Sequence, residues 1–329
     1  MQQQSTIVQQ QSTMSQLTVT VAAQQNSIVQ LNLVHRDHGF FGSLRTIDST
    51  GNVGTHTSLA LTTDGFPVIS YYDNTNLDLK LALCADATCS SGTIIRTIDS
   101  TGDVGSYTSL ALTTAGFPVI SYYDNTNLDL KLALCADATC SSGTIIRTID
   151  NAGTVGRYAS LALTTAGFPV ISYLDSSGIN NDLKLAVCAD ATCSSGTTIR
   201  TIDSTGSVGG YTSLALTTAG FPVISYYENN DLKLAVCAGA TCSSGTTIRT
   251  IDSTGDVGGY TSLALTTAGF PVISYYDNTN KHLKLAACAD ATCSSGTTIR
   301  TIDSAGSVGI YTSLALTTAG FPVISYYDL

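Results

Sequence analysis

The chain has 329 residues, 43% of them hydrophobic and 12% charged, with a formal net charge of −10. An acidic chain poor in Lys and Arg binds phosphate backbones weakly, which argues against a nucleic-acid partner. No apolar run approaches the ~18 residues of a membrane span, so no membrane insertion is expected. The 29 Gly and 16 Tyr, set among Thr, Ser, Val and Ile with no Trp, indicate strands and turns.

Residues 1–26 are rich in Gln, Ser and Thr. They are expected to be disordered, contributing at most one strand over 17–22. They do not form a signal peptide, because no Lys or Arg precedes Arg36 and the apolar stretch is too short. Residues 27–329 form the second unit, expected to be one domain. Its first segment, 28–48, aligns with the second half of a repeat and ends in Arg45-Thr46-Ile47-Asp48.

The tetrad Arg-Thr-Ile-Asp starts at Arg45, Arg96, Arg147, Arg200, Arg249 and Arg300, at spacings of 51, 51, 53, 49 and 51. Phe-Pro-Val-Ile-Ser-Tyr recurs in step from Phe66, Phe117, Phe168, Phe221, Phe270 and Phe321. A period near 50 residues with strand-like content predicts propeller blades, with a β-solenoid as the rival architecture. One unit offers four strands. Strand A covers 109–113, alternating small residues with Leu. Strand B covers 119–123, with Pro118 at its entry, where a missing N–H costs least. Strand C covers 130–134 and strand D 144–149. The D–A connection, such as 100–106, is longer and Gly-rich, as a crossing from an outer strand to the next inner strand requires. Alternation places the B–C and D–A loops on one face, and the A–B turn and C–D loop on the other.

After five units the chain adds strands A and B (313–327) and stops. The expected fold is therefore all-β, a six-bladed propeller of ~51-residue repeats. Its sixth blade is closed by N-terminal C and D strands and C-terminal A and B strands, which removes two sheet edges. The alternative is a fragment of a longer array.

Ten Cys form five C-x4-C pairs in the C–D loops: Cys84/Cys89, Cys135/Cys140, Cys188/Cys193, Cys237/Cys242 and Cys288/Cys293. One pair per hairpin points to local disulfides. Buried thiols are the alternative, and a zinc site lacks ligands, since each loop has two thiolates and no His. Disulfides imply an oxidising compartment, hence an extracellular or cell-surface location, although no leader is visible.

His35, His38, His56 and His282 do not recur; His56 stands where other copies have Tyr107, Tyr158, Tyr211, Tyr260 and Tyr311. No G-x-S-x-G is present. Near-identical copies also argue against catalysis, which needs one asymmetric constellation. The candidate ligand residues lie in and around the B–C loops: Tyr72, Asp73, Asn74 and Asp78; Tyr123, Asp124, Asn125 and Asp129; Asp175 and Asp182; Tyr227, Glu228 and Asp231; Tyr276, Asp277 and Asn278. Insertions and deletions also fall in this loop. Carboxylate, amide and aromatic groups together suit sugars, polar groups bonding hydroxyls while a ring stacks on the apolar face. Hard oxygens also suit Ca²⁺. The plainer possibility is that Asp and Asn shape turns and Tyr packs between blades. The acids would make this face negative, favouring cations or neutral sugars.

The unit Ser-Leu-Ala-Leu-x-x-x-Gly-Phe-Pro-Val-Ile-Ser-Tyr-Tyr-Asp, followed by Leu-Lys-Leu-Ala-x-Cys, resembles the repeats of secreted bacterial β-propeller proteins. The layout is similar to six- and seven-bladed propeller lectins, which bind sugars between blades. The repeated copies lead to the expectation of a non-enzymatic, extracellular, multivalent binding module for a glycan or cell-surface ligand, with no catalytic residues and no required cofactor; the likeness to lectins adds to it through architecture alone. A structural or adhesive scaffold is the alternative, and an enzyme the third.

Overall fold

A computed structural model describes residues 45–243 and 245–329. Five antiparallel sheets follow one another along the chain, each of four strands in the order A-B-C-D, and a sixth sheet contains strands A and B. In the second sheet the strands are Val104–Leu112, Pro118–Asp124, Asp129–Leu134 and Ile145–Asp150. The two-stranded sheet is Val308–Leu316 paired with Pro322–Asp328. The described residues thus carry five four-stranded blades followed by a two-stranded sheet. The segment 1–26, the hairpin expected over 28–44, and His35 and His38 lie outside them.

Strands B, C and D run close to the expected bounds, but strand A begins at Val104 rather than 109. The difference is a bulge. Pairing with strand B shifts register between Val104 and Ser109, and Gly105 and Tyr107 both take positive φ, 109° and 54°. A Cβ on Gly105 would lie 2.7 Å from the Leu79 backbone of the preceding blade. The Val-Gly-x-aromatic segment is therefore the point at which each blade crosses closely over its predecessor, and only glycine fits there.

Each seam repeats one apolar contact and two polar ones. Leu110 of strand A packs with Val68, Leu79, Leu81 and Tyr122, uniting blades 1 and 2 in one cluster. Burying such a Leu contributes about 1.5–3 kcal/mol. The Asp ending each strand D accepts the hydroxyl of the first Tyr of the next strand B, as in Tyr122 Oη to Asp99 at 2.6 Å and Tyr226 Oη to Asp203 at 2.7 Å. The other oxygen of Asp99 accepts the Thr101 amide and forms the turn. Nearer the centre, Ser109 Oγ accepts the Leu161 amide of the next strand A at 2.9 Å, and Ser58 does the same for Leu110.

All five cysteine pairs are disulfides, with Cα–Cα separations of 4.9 Å for Cys84–Cys89 and 5.0 Å for Cys135–Cys140; Cys188–Cys193, Cys237–Cys242 and Cys288–Cys293 match them. Asp86 organises its loop by accepting from the Thr88 and Ser90 amides and hydroxyls. Those bonds hold its carboxyl well below the usual range.

Candidate functional site

The B–C and D–A loops do share a face. The Asn74 amide donates to the Asn52 carbonyl, and the Val104 amide to the Leu77 carbonyl of the preceding blade. On this face the structure places the loop acids in bonds that build the loop. Asp73 is 0% exposed and accepts from the Thr75 and Asn76 amides and the Asn76 side chain, with Lys80 3.3 Å away. Burial works to raise its pKa, but the bonds from Asn76, Thr75 and Lys80 prevail and lower it.

Asp124 repeats the pattern with Thr126, Asn127 and Lys131 at 2.9 Å. Asp175 pairs with Lys184, Glu228 with Lys233, and Asp277 with Lys284. The strand-C Lys of Leu-Lys-Leu thus lies beside the preceding loop acid in each four-stranded blade, although Lys284 sits closer to Asp252, at 2.8 Å, than to Asp277. Asp78, Asp129, Asp182 and Asp231 open strand C half-buried, and burial pushes Asp78 and Asp129 up. Asn74 bonds Thr55, Asn125 bonds Asp103 and Ser106, and Asn278 bonds Asp256. Among the described residues no cluster of three or more His, Cys, Asp or Glu could hold a metal ion.

The loop tyrosines lie between blades. Tyr72, Tyr123 and Tyr276 are buried. Tyr72 reaches Asp103 of the next blade at 2.7 Å, and Tyr227 reaches Asp256 at 3.0 Å.

The aromatic surface that remains open is formed by the recurring aromatic position, which the sequence shows but which lies outside the candidate ligand residues. His56, Tyr107, Tyr158, Tyr211, Tyr260 and Tyr311 each sit on the strand-A bulge at φ of 52–54°. Successive rings follow one another with centroids 4.4, 4.7, 4.6, 4.3 and 4.6 Å apart. They form an aromatic mouth where the A strands converge, with Tyr123, Tyr227 and Tyr276 edge-on behind. Burial and then the Tyr158 hydroxyl push Tyr107 up to about 12; burial and the bond to Tyr260 raise Tyr211. Six aromatic residues in a strained conformation at one opening are the kind of feature that collects at ligand sites. The available signal was the aromatic recurring after Val-Gly-x. His56, at the open end of the set, keeps solvent contact. The protein crowding its other side nevertheless disfavours the imidazolium and lowers its pKa to about 4.

No family model matches the sequence, and no curated protein matches it. Solved structures with the same fold do exist. A Hadza microbial sialidase is 9% identical, with 92% of this chain and 74% of that one covered and a TM-score of 0.55. An ulvan lyase, a polysaccharide lyase bound to -[GlcA(1-4)Rha3S]-, is 12% identical over 87% of this chain and 77% of that one, with a TM-score of 0.53. A puromycin hydrolase mutant is 12% identical at a TM-score of 0.57, with 91% of this chain matching 46% of that one. The fold is that of a β-propeller repeat protein. The expectation of a non-enzymatic module is corrected by these neighbours, which are enzymes, two of them named for action on glycans. The physical error was to equate repeated strands with a symmetric surface. The mouth carries His56 in one blade and Arg157 in another, so near-identical blades do present distinct groups.

Proposed function

We propose that the protein is a carbohydrate-active enzyme working at the aromatic mouth, with His56 and Tyr107 as proton acceptor and donor. One observation carries this: at the mouth the His56 imidazole lies against the Tyr107 phenol, ring centroids 4.4 Å apart and planes tilted by 51°. An imidazole beside a phenol supplies a proton acceptor and a proton donor side by side, the residue types that general acid–base catalysis uses. The flanking tyrosines offer stacking surface for sugar rings. Hydrolysis by two free carboxylates is less well supported. Asp103 and Asp256, the acids at the rim, are tied to phenols and Asn side chains. The test is a panel of plant, algal and host polysaccharides, read for new reducing ends and for unsaturated products. Cleavage that is lost in His56→Ala and Tyr107→Phe is the expected result. Cleavage unaffected by both variants, or none across the panel, counts against the proposal.

The same proposal includes a closed six-bladed ring in an oxidising, extracellular or surface setting, the latter supported by the five disulfides. Support for closure comes from both open edges. Leu59 is 49% exposed, whereas its equivalents Leu110 and Leu263 are each 7% exposed. Asp48 already accepts the Tyr71 hydroxyl at 2.7 Å, the bond that every other strand D makes to its following blade. A strand C drawn from 28–44 would cover the edge between strand B at 322–328 and Leu59.

A further inference from the structure

Around the mouth the copies differ most in charge at the seam between blades 2 and 3. In blades 2 and 5 the residue before Val-Gly is an acid, Asp103 or Asp256, and it accepts the phenol of the preceding blade, Tyr72 or Tyr227. Blade 3 has Thr154 there. Tyr123, whose phenol would have used that acid, is 0% exposed and its hydroxyl has no hydrogen-bond partner among the described residues. Three residues further on, the other copies carry Thr55, Ser106, Gly210, Gly259 and Ile310, and blade 3 carries Arg157. Its guanidinium carbon lies 5.2 Å from the centre of the Tyr123 ring, close enough to Tyr107 for its charge to act on that phenol. Among the described residues no carboxylate pairs with this guanidinium, although each strand-C Lys has one. Thr154, like Asn52, Ser207 and Ser307, stands where blades 2 and 5 carry an acid. This seam alone among the described ones adds a cation there, Arg157, and its buried Tyr123 hydroxyl has no partner among the described residues.

We infer that Arg157 receives the charged group of an anionic sugar unit, a carboxylate or a sulfate, while the sugar ring lies against the axial tyrosines. This rests on the aromatic mouth being the site. A guanidinium stacked on an aromatic face keeps its N–H edges free, and their planar fork matches two oxygens of a carboxylate or sulfate. Lys80, Lys131, Lys184, Lys233 and Lys284 each offset one acid of the B–C loops, and the Arg157 guanidinium adds a positive charge at this seam. The position tolerates Thr, Ser, Gly and Ile in other copies, so its substitution leaves the blade intact.

The experiment is calorimetric titration of the full chain with oligosaccharides of galacturonate and glucuronate, their methyl esters, and a sulfated galactan fragment. These are run against the parent, Arg157→Gln and Thr154→Asp, with melting curves to confirm folding. The parent should bind an acidic or sulfated form at least about tenfold more tightly than the neutral ester, as loss of a charge-assisted bond implies. Which charged form binds identifies the group. Arg157→Gln should remove that preference, bringing the affinity for the charged form down to that for the ester. Thr154→Asp should lower affinity for the charged form by supplying an internal partner for the guanidinium. If acid and ester bind equally, or Arg157→Gln weakens both alike, Arg157 only packs on Tyr123 and the inference falls while the mouth stands. If no saccharide binds, the inference and the site fall together.

Discussion

Single substitutions among the copies show what each bond contributes, because the remaining copies act as controls. Ser70 bonds Thr108 at 2.6 Å, Ser172 bonds Thr212 at 2.7 Å, and Ser225 bonds Thr261 at 2.9 Å. Ser121 faces Ala159 instead, and its hydroxyl is buried and unpaired among the described residues. Thr108 and Thr212 also donate to the carbonyls of His56 and Tyr158. Restoring the hydroxyl by Ala159→Thr should therefore stabilise the protein by about 1 kcal/mol, a rise in melting temperature of about 2 °C. A lower melting temperature would show that the seam has no room for it. At this scale the sequence was only partly informative. Asp73 and Asp124 could be placed on the correct face from alternation and loop position. Their role could not, because it depends on Lys80 and Lys131, which lie one strand away and look like ordinary exposed lysines in a one-dimensional pattern.

At the scale of the strand and the hairpin, the period-two pattern and the turn residues located strands B, C and D, and C-x4-C located the disulfides. Strand A was read too short, since Gly105 and Tyr107 look like loop until the bulge that uses their positive φ is known. The aromatic mouth was hidden by the same misreading. The strand-B tyrosines also set a pH limit. Burial first, and then the bond to a strand-D Asp, raises the pKa of Tyr122, Tyr173, Tyr226 and Tyr275, and takes Tyr326 to about 12. In the unfolded chain these phenols ionise near 10. The folded state thus holds their contribution fully below pH ~10 and loses it progressively as the pH climbs through 12 and beyond. Tyrosinate absorbance should appear late and in step with unfolding. Ordinary titration near pH 10 with the fold intact would contradict the buried bonds.

For the molecule as a whole, the repeat gave the architecture directly, while the number of blades depends on the two open edges. Removing residues 1–44 from a closed ring should leave Leu59 and Val323 without cover. The trimmed protein should melt several degrees lower and bind an apolar dye more strongly. An unchanged melting curve would mean that the ring does not close through this segment.

The Asp-to-Tyr bond between blades has a kinetic consequence. Donor and acceptor are 23 residues apart at every seam, in Tyr122–Asp99 as in Tyr326–Asp303. Closing so short a loop carries a modest entropic cost, and it does not grow with the number of blades already formed. Each seam can be made as soon as the next strand B is available, so assembly proceeds by local addition and low contact order favours speed. Near-identity of the blades adds a hazard, because a strand B docks almost as well on the wrong Asp. Short sequence separation is what makes the correct neighbour arrive first.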